Sequence, residues 1–277
     1  RARHHGRPVS DPAPDGFGFG DPARRVAGPA GPLAVYERAG AGIPVLLVHG
    51  INMRAAVWAD VVAALPGRHV VAPDLRGHGA STDSGPFRVT DYAADVLSVV
   101  QDLGADRVQL AGVSLGGLVS CLIAQEQPVL VQSVVAFGSA LRGSHPDLDG
   151  GMARLQEVGI EAYFQRSLRR DAEPAVEAHL DRLVLLATAG RTSVDVAEAV
   201  TRTGFTEDLA GTIMPSGRPV HVITGEFDTT CTPEGGHALA AAAGGRWTMV
   251  TGGGHVLPLE DPEGCAAAIA AALDEEG

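Results

Sequence analysis

Ser114 lies in Gly112-Val113-Ser114-Leu115-Gly116, between an apolar run and a helix-like run, and is the residue best placed for covalent chemistry. G-x-S-x-G between a strand and a helix describes a nucleophile elbow. A serine on so sharp a turn needs neighbours almost without side chains, and Gly112 and Gly116 supply them. The helix beginning after Ser114 would point its positive end at the site. A serine hydroxyl is a weak nucleophile at neutral pH and needs a base. An elbow serine takes first an acid and then a histidine from later in the chain. His255 fits as the base, because it follows the β-like run 247–250 and the flexible Gly252-Gly253-Gly254. Asp228 and Glu226 both follow the strand-like run 219–224 and compete for the acid. Asp228 is preferred, because the chain from there to Pro233 enters a helix that would anchor the loop.

Acyl chemistry also requires two N–H donors for the oxyanion that forms. One is the amide of Leu115, directly after the nucleophile, and we assign the other to Ile51, in the loop after the run 44–48. Asn52 beside it either lines the substrate pocket or caps the following helix; the sequence leaves both open.

These residues need a scaffold, and the chain offers one. From residue 24 onward, short β-rich runs alternate with helical runs, the mark of a parallel sheet covered by helices. Runs 24–26 and 33–38 flank a Gly-Pro-Ala-Gly turn and predict a hairpin. The continuous apolar run 44–48 suits a strand buried on both faces, and strands are also predicted at 68–73, 107–113 and 131–137. Helices are predicted near 55–65, from a Thr90 cap to 103, and over 115–125. From about 144 to 211 the alternation stops. Three helical stretches, 152–169, 174–187 and 193–203, fill that interval. Strands at 219–224 and 246–250 and helices at 233–243 and 262–273 then resume the pattern.

Together these features resemble the α/β-hydrolase superfamily. The resemblance rests on His49-Gly50, Asp74-Leu75-Arg76-Gly77-His78-Gly79-Ala80-Ser81, Gly112–Gly117, Gly225–Asp228 and Gly254-His255, with Glu260-Asp261-Pro262 behind them, and covers residues 24–275. It implies an α/β fold: a mostly parallel eight-stranded sheet flanked by helices, with a helical lid inserted after the sixth strand. The implied domains are a flexible arm over 1–23, a core over 24–143 and 212–277, and a lid over 144–211. Ile51 stands where the family often carries an aromatic residue, which alters the pocket wall and not the backbone donor. His49 and His78 read as structural loop residues in this context, not as metal ligands. Serine at the elbow excludes the epoxide and haloalkane hydrolases of this fold, which use aspartate there.

The resemblance implies a carboxylic ester hydrolase, near enol-lactone hydrolases and carboxylesterases, that acts on a medium-sized, partly apolar ester or lactone without a cofactor. Met152, Leu155, Val158, Tyr163, Phe164, Leu183 and Leu186 fall at helical spacings in the lid; most should pack it onto the core and a minority should face the cleft. Arg142, Arg166 and Arg169 are candidates for meeting a substrate carboxylate, although solvated positions suit them better. Thioester or carbon–carbon bond hydrolysis would use the same triad. An elimination enzyme or a ligand receptor on this fold is the reading outside hydrolysis.

Bulk properties narrow the rest. A net charge of −12 argues against nucleic acid and against an anionic membrane as partners. A small-molecule substrate is expected instead. No run approaches the ~18 apolar residues of a membrane span, and the first residues lack the apolar stretch of a secretory signal. The three cysteines, Cys121, Cys231 and Cys265, show no metal-binding spacing and suggest reduced thiols in the cytoplasm.

Overall fold

A computed structural model describes residue 17, residues 20–170, 177–191 and 193–273, with the side chains of residues 169 and 170 left out. β1 (Arg24–Gly28) and β2 (Gly31–Arg38) form the predicted antiparallel hairpin. β3 (Ala41–Val48) leads through a 3₁₀ turn (Ala55–Trp58) into α1 (Ala59–Ala63), and β4 (Arg68–Pro73) follows. Next come α2 (Val89–Leu103), β5 (Val108–Val113), α3 (Leu115–Glu126) and β6 (Val131–Phe137). Four helices occupy the interval without strands: α4 (Leu148–Val158), α5 (Ile160–Arg170), α6 (Leu180–Thr188) and α7 (Val194–Thr206). β7 (Val220–Gly225), α8 (Pro233–Ala243), β8 (Arg246–Val250), α9 (Leu257–Glu260) and α10 (Pro262–Leu273) complete the chain.

The eight strands form one sheet in the order β1-β2-β4-β3-β5-β6-β7-β8. β2 runs antiparallel to both neighbours, and the remaining pairs are parallel. The central strands are buried on both faces, and the two-residue period divides them. Leu110, Val134, Ala136 and Val222 join a core with residues of α2, α3 and α8. Ala111, Val113, Val135, Phe137 and Ile223 join a second core with α1, α9 and α10. Each large aliphatic side chain so buried contributes about 1.5–3 kcal/mol. β5, β6, β7 and β8 are consecutive neighbours, so the segments leaving the carboxyl ends of β5, β7 and β8 open on the same edge. Ser114, Asp228 and His255 stand on those three segments.

Two local expectations are corrected. Thr90 is the second residue of α2 and does not cap it. The cap position is Arg88, whose N–H donates to Asp91 Oδ2 at 2.9 Å, while the N–H of Val89 donates to Glu207 Oε2 at 2.8 Å. The predicted helix 152–169 is two helices, broken where Gly159 takes φ 79°. The short α9 is an addition to the predicted elements. Finally, the arm expected over 1–23 lies largely outside the described residues, but Phe17 is buried, with its ring centroid 6.3 Å from that of Tyr36. Among the described residues, no helix is long and apolar enough to cross a membrane.

Candidate active site

Ser114 occupies the turn between β5 and α3 with φ 55° and ψ −121°, a left-handed conformation that few non-glycine residues adopt. Its N–H donates to Phe137 O at 2.8 Å, and Ser139 Oγ donates to its carbonyl at 2.8 Å, so both neighbours hold the turn. The glycines around it are steric necessities. A Cβ on Gly112 would lie 2.1 Å from the Gly116 carbonyl carbon, and one on Gly116 would lie 2.0 Å from Val48 O. A Cβ on Gly50 would lie 3.0 Å from that of Ser114, so the loop after β3 passes directly over the elbow.

Asp228 is buried behind His255. Its Oδ2 accepts from His255 Nδ1 at 2.9 Å, and its Oδ1 accepts from the N–H groups of Thr230 and Cys231 at 2.9 and 2.7 Å. With Nδ1 as donor, Nε2 carries the ring's free lone pair. Glu226 is exposed and accepts from the Gly252 N–H at 2.9 Å, away from the imidazole. The structure thus brings Asp228, and not Glu226, to His255. Glu260 fixes the histidine loop: its Oε2 accepts from the Gly254 N–H at 2.5 Å and its Oε1 from the Val256 N–H at 2.8 Å. His255 is thereby bracketed by two amides bound to one carboxylate.

The loop after β3 carries Ile51 and Asn52. Among the described residues, no backbone acceptor takes the N–H of Ile51 or of Leu115, which leaves both as available donors. Asn52, at φ 56°, donates its N–H to His78 Nε2 at 3.2 Å. Its side chain lines the cavity and does not cap the next turn. Asp74 takes that role, with Oδ1 accepting from the Ala55 N–H at 2.8 Å and Oδ2 from the Ala80 N–H at 2.9 Å. The loop after β4 is closed by Ser81, which donates to Asp74 O at 2.5 Å, and by Arg76, which grips Asp95 with two bonds of 2.6 Å.

His49 and His78 serve this scaffold. His49 Nδ1 faces Gly50 O at 2.7 Å while its Nε2 accepts from the Leu75 N–H at 2.9 Å. Complete burial brings the His49 pKa down to about 3 and holds that of His78 well below the usual value. Both rings are neutral and committed to backbone partners. The three cysteines are free and buried. The Cys231 thiol is within hydrogen-bond reach of Ser114, and burial together with Asp228 raises its pKa far above neutrality. It is a protonated neighbour, not a second nucleophile.

Ser114 and His255 open on one cavity of about 250 Å³. Its walls include Met53, Tyr163, Phe164, Leu168, Leu180 and Leu183, with Ser144, His145, Thr201 and Thr230 as polar points. Of the seven lid positions singled out in the sequence, Tyr163, Phe164 and Leu183 face this cavity. Met152, Leu155 and Leu186 are fully buried, and Val158 packs against the Met152–Leu155 cluster. Arg142 and Arg166 are exposed; the side chain of Arg169 lies outside the described residues. Arg142 lies beside a smaller recess near Ser114 and not on the main cavity. Sequence reasoning missed Ser144, His145, Thr201 and the buried Arg191 behind Asn52. None of them belongs to a motif, and only tertiary packing brings them to the site.

The sequence model of the Alpha/beta hydrolase family matches residues 45–268. A (E)-2-((N-methylformamido)methylene)succinate hydrolase from Acinetobacter baylyi is 27% identical over 150 residues, covering 53% of this chain and 51% of that protein. The chain spans about a third to a half of the length of curated relatives such as this one. Among solved structures, an enol-lactonase from Burkholderia xenovorans superposes with a TM-score of 0.78 at 24% identity, covering 91% of this chain and 100% of that one. A thermophilic esterase from Thermogutta terrifontis gives 0.76 at 22% identity, covering 90% of this chain and 96% of that one. At these identities the two superpositions speak to the fold alone.

Proposed function

We propose, from the premise that this chain belongs to the alpha/beta hydrolase family, that it is a serine hydrolase cleaving an ester or lactone through an acyl-enzyme on Ser114. The observation that carries the reading is one cavity shared by a strained serine and a histidine whose far nitrogen is bound to a buried aspartate at 2.9 Å. In this reading Ser114 attacks the carbonyl carbon as His255 Nε2 takes the hydroxyl proton. Asp228 holds the tautomer and stabilises the imidazolium. The amides of Ile51 and Leu115 receive the oxyanion. Collapse of the tetrahedral intermediate expels the alcohol, which takes the proton from His255. Water, activated by the same imidazole, then releases the acid and restores the serine. Each step uses groups of this chain, and none requires a cofactor.

The cavity supports the substrate class. Among the described residues, no Lys, Arg, Asp or Glu lines it, which favours an uncharged, partly apolar acyl group. α5 and α6 supply Tyr163, Phe164, Leu168, Leu180 and Leu183 to that lining and α7 adds Phe205, so this helical segment acts as a lid that selects the acyl group. Hydrolysis in oxygen-18 water tests the reaction type. Acyl cleavage puts solvent oxygen into the acid product, and an acid free of the label would mean elimination or alkyl–oxygen cleavage.

A further inference from the structure

Arg191, in the turn between α6 and α7, has no part in the scheme above, yet it is only 8% exposed. Among the described residues, no carboxylate forms an ion pair with it. A desolvated cation is unfavourable unless its donors are well used. Its Nη1 donates to Asn52 Oδ1 at 2.6 Å and its Nη2 to Gly77 O at 3.0 Å, and its guanidinium carbon stands 6.0 Å from the centre of the Phe164 ring. Burial lowers its pKa to about 10, which leaves it charged at neutral pH.

The surrounding contacts form a second line of observation. α7 presses on the same loop. A Cβ on Gly204 would lie 1.7 Å from Ile51 Cδ1, so the Ile51 side chain packs directly on the α7 backbone there. One turn earlier, Thr201 Oγ1 accepts from Asn52 Nδ2 at 3.2 Å while donating to Ala197 O at 2.7 Å. A Cβ on Gly190 would lie 2.4 Å from Gly79 O, so the turn that carries Arg191 is seated tightly on the loop after β4. Asn52 is therefore held at its N–H by His78 and at its side chain by Arg191 and Thr201. Its φ of 56° is uncommon outside glycine, and these three contacts hold it there.

We propose that Arg191 is a positioning residue: through Asn52 it anchors the segment Gly50–Asn52, so that the N–H of Ile51, which lies in the Gly50–Ile51 peptide, is aimed at the oxyanion only while the turn carrying Arg191 and the helix carrying Thr201 are seated on the core. The kinetic consequence rests on the serine-hydrolase reading above; the structural coupling does not. An oxyanion donor displaced by about an ångström is a transition-state loss, with little effect on substrate binding.

The test is Arg191→Met in the full chain, which keeps the stem and removes the donors. Hydrogen exchange of the segment 49–54, measured without substrate, is expected to rise by roughly tenfold, because a local opening becomes easier. With p-nitrophenyl butyrate, kcat is expected to fall roughly tenfold to a hundredfold with KM changed less than about twofold. Inhibition by a trifluoromethyl ketone, which mimics the oxyanion, should weaken by the same factor as kcat/KM. Arg191→Lys, which retains the charge and part of the donor set, should recover part of each effect. If Arg191→Met does not fold, Thr201→Val carries the same measurements. Unchanged exchange overturns the proposal, and so does a raised KM at constant kcat, which would make Arg191 a direct substrate contact. Faster exchange in a chain whose wild type hydrolyses no ester would support the coupling and reject the hydrolase reading instead.

Discussion

Ser114 is held in a conformation that costs about 1–3 kcal/mol, and hydrogen bonds from neighbouring strand ends maintain it. The strain belongs to the backbone, so it can be separated from the hydroxyl. Ser114→Ala should abolish turnover and leave stability close to wild type. Ser114→Gly should abolish turnover equally but unfold at higher urea, by about 1 kcal/mol relative to Ser114→Ala, because glycine tolerates that φ. Equal stability of the two variants in urea titration would show that the turn stores no strain. The acid is testable in the same way. Asp228→Asn should lower kcat by roughly a factor of 10⁴ through loss of the correct tautomer, whereas Glu226→Gln should stay near wild type. The reverse outcome would move the acid to the exposed glutamate. At this scale the sequence was informative wherever a motif forces a residue type. Gly112, Gly116 and Ser114 were legible because the elbow admits no alternative. Asp228 over Glu226 was a preference until burial and the 2.9 Å contact separated them. Arg191 and Thr201 had no sequence signal, since their partner Asn52 lies 139 and 149 residues away.

At the scale of elements, the site depends on loops fastened to rigid ends. The histidine loop follows β8 and is fixed by Glu260 of α9, whose carboxylate takes the amides on either side of His255. Glu260→Ala leaves both amides without that acceptor, and bonds to a charged group are worth about 1.5–3 kcal/mol each. We expect a loss of a few kcal/mol and a drop in kcat of at least tenfold, read by urea titration and ester turnover. Activity unchanged at reduced stability would make Glu260 purely structural. The strands were legible because short β-rich runs alternate with helical ones as in a parallel sheet, and β4, β6 and β8 fall on the predicted residues. The interval between β6 and β7 was harder. The predicted helix 152–169 spans Gly159, which at φ 79° ends a helix, and the cap of α2 depends on Glu207 from 118 residues away.

For the whole molecule, the cavity and the buried histidines set two measurable properties. A cavity of about 250 Å³ predicts that kcat/KM for p-nitrophenyl esters rises from acetate to a medium acyl chain and falls again for long ones. A profile still rising at twelve or more carbons would mean that the cavity opens further than this arrangement. The histidines govern acid stability. His49 has a folded pKa of about 3, and that of His78 is well below the usual 6.5, so below pH 6.5 the unfolded chain binds protons that the folded one refuses. Their contribution is complete above pH 6.5 and declines as pH falls towards their folded values, by up to about 1.4 kcal/mol per pH unit for each ring. Unfolding free energy should therefore drop between pH 6.5 and 5, and His49→Asn should show a shallower slope. Equal slopes would mean that His49 is not buried neutral in solution.

The central claim is that Ser114 is the nucleophile and His255 its base. Reaction of the folded protein with a fluorophosphonate, followed by mass spectrometry of its peptides, addresses this most directly. The account predicts one adduct, on Ser114, formed far more slowly in His255→Ala and absent in Ser114→Ala while the fold is retained. An adduct on another residue, or Ser114→Ala still hydrolysing esters at the wild-type rate, would contradict it.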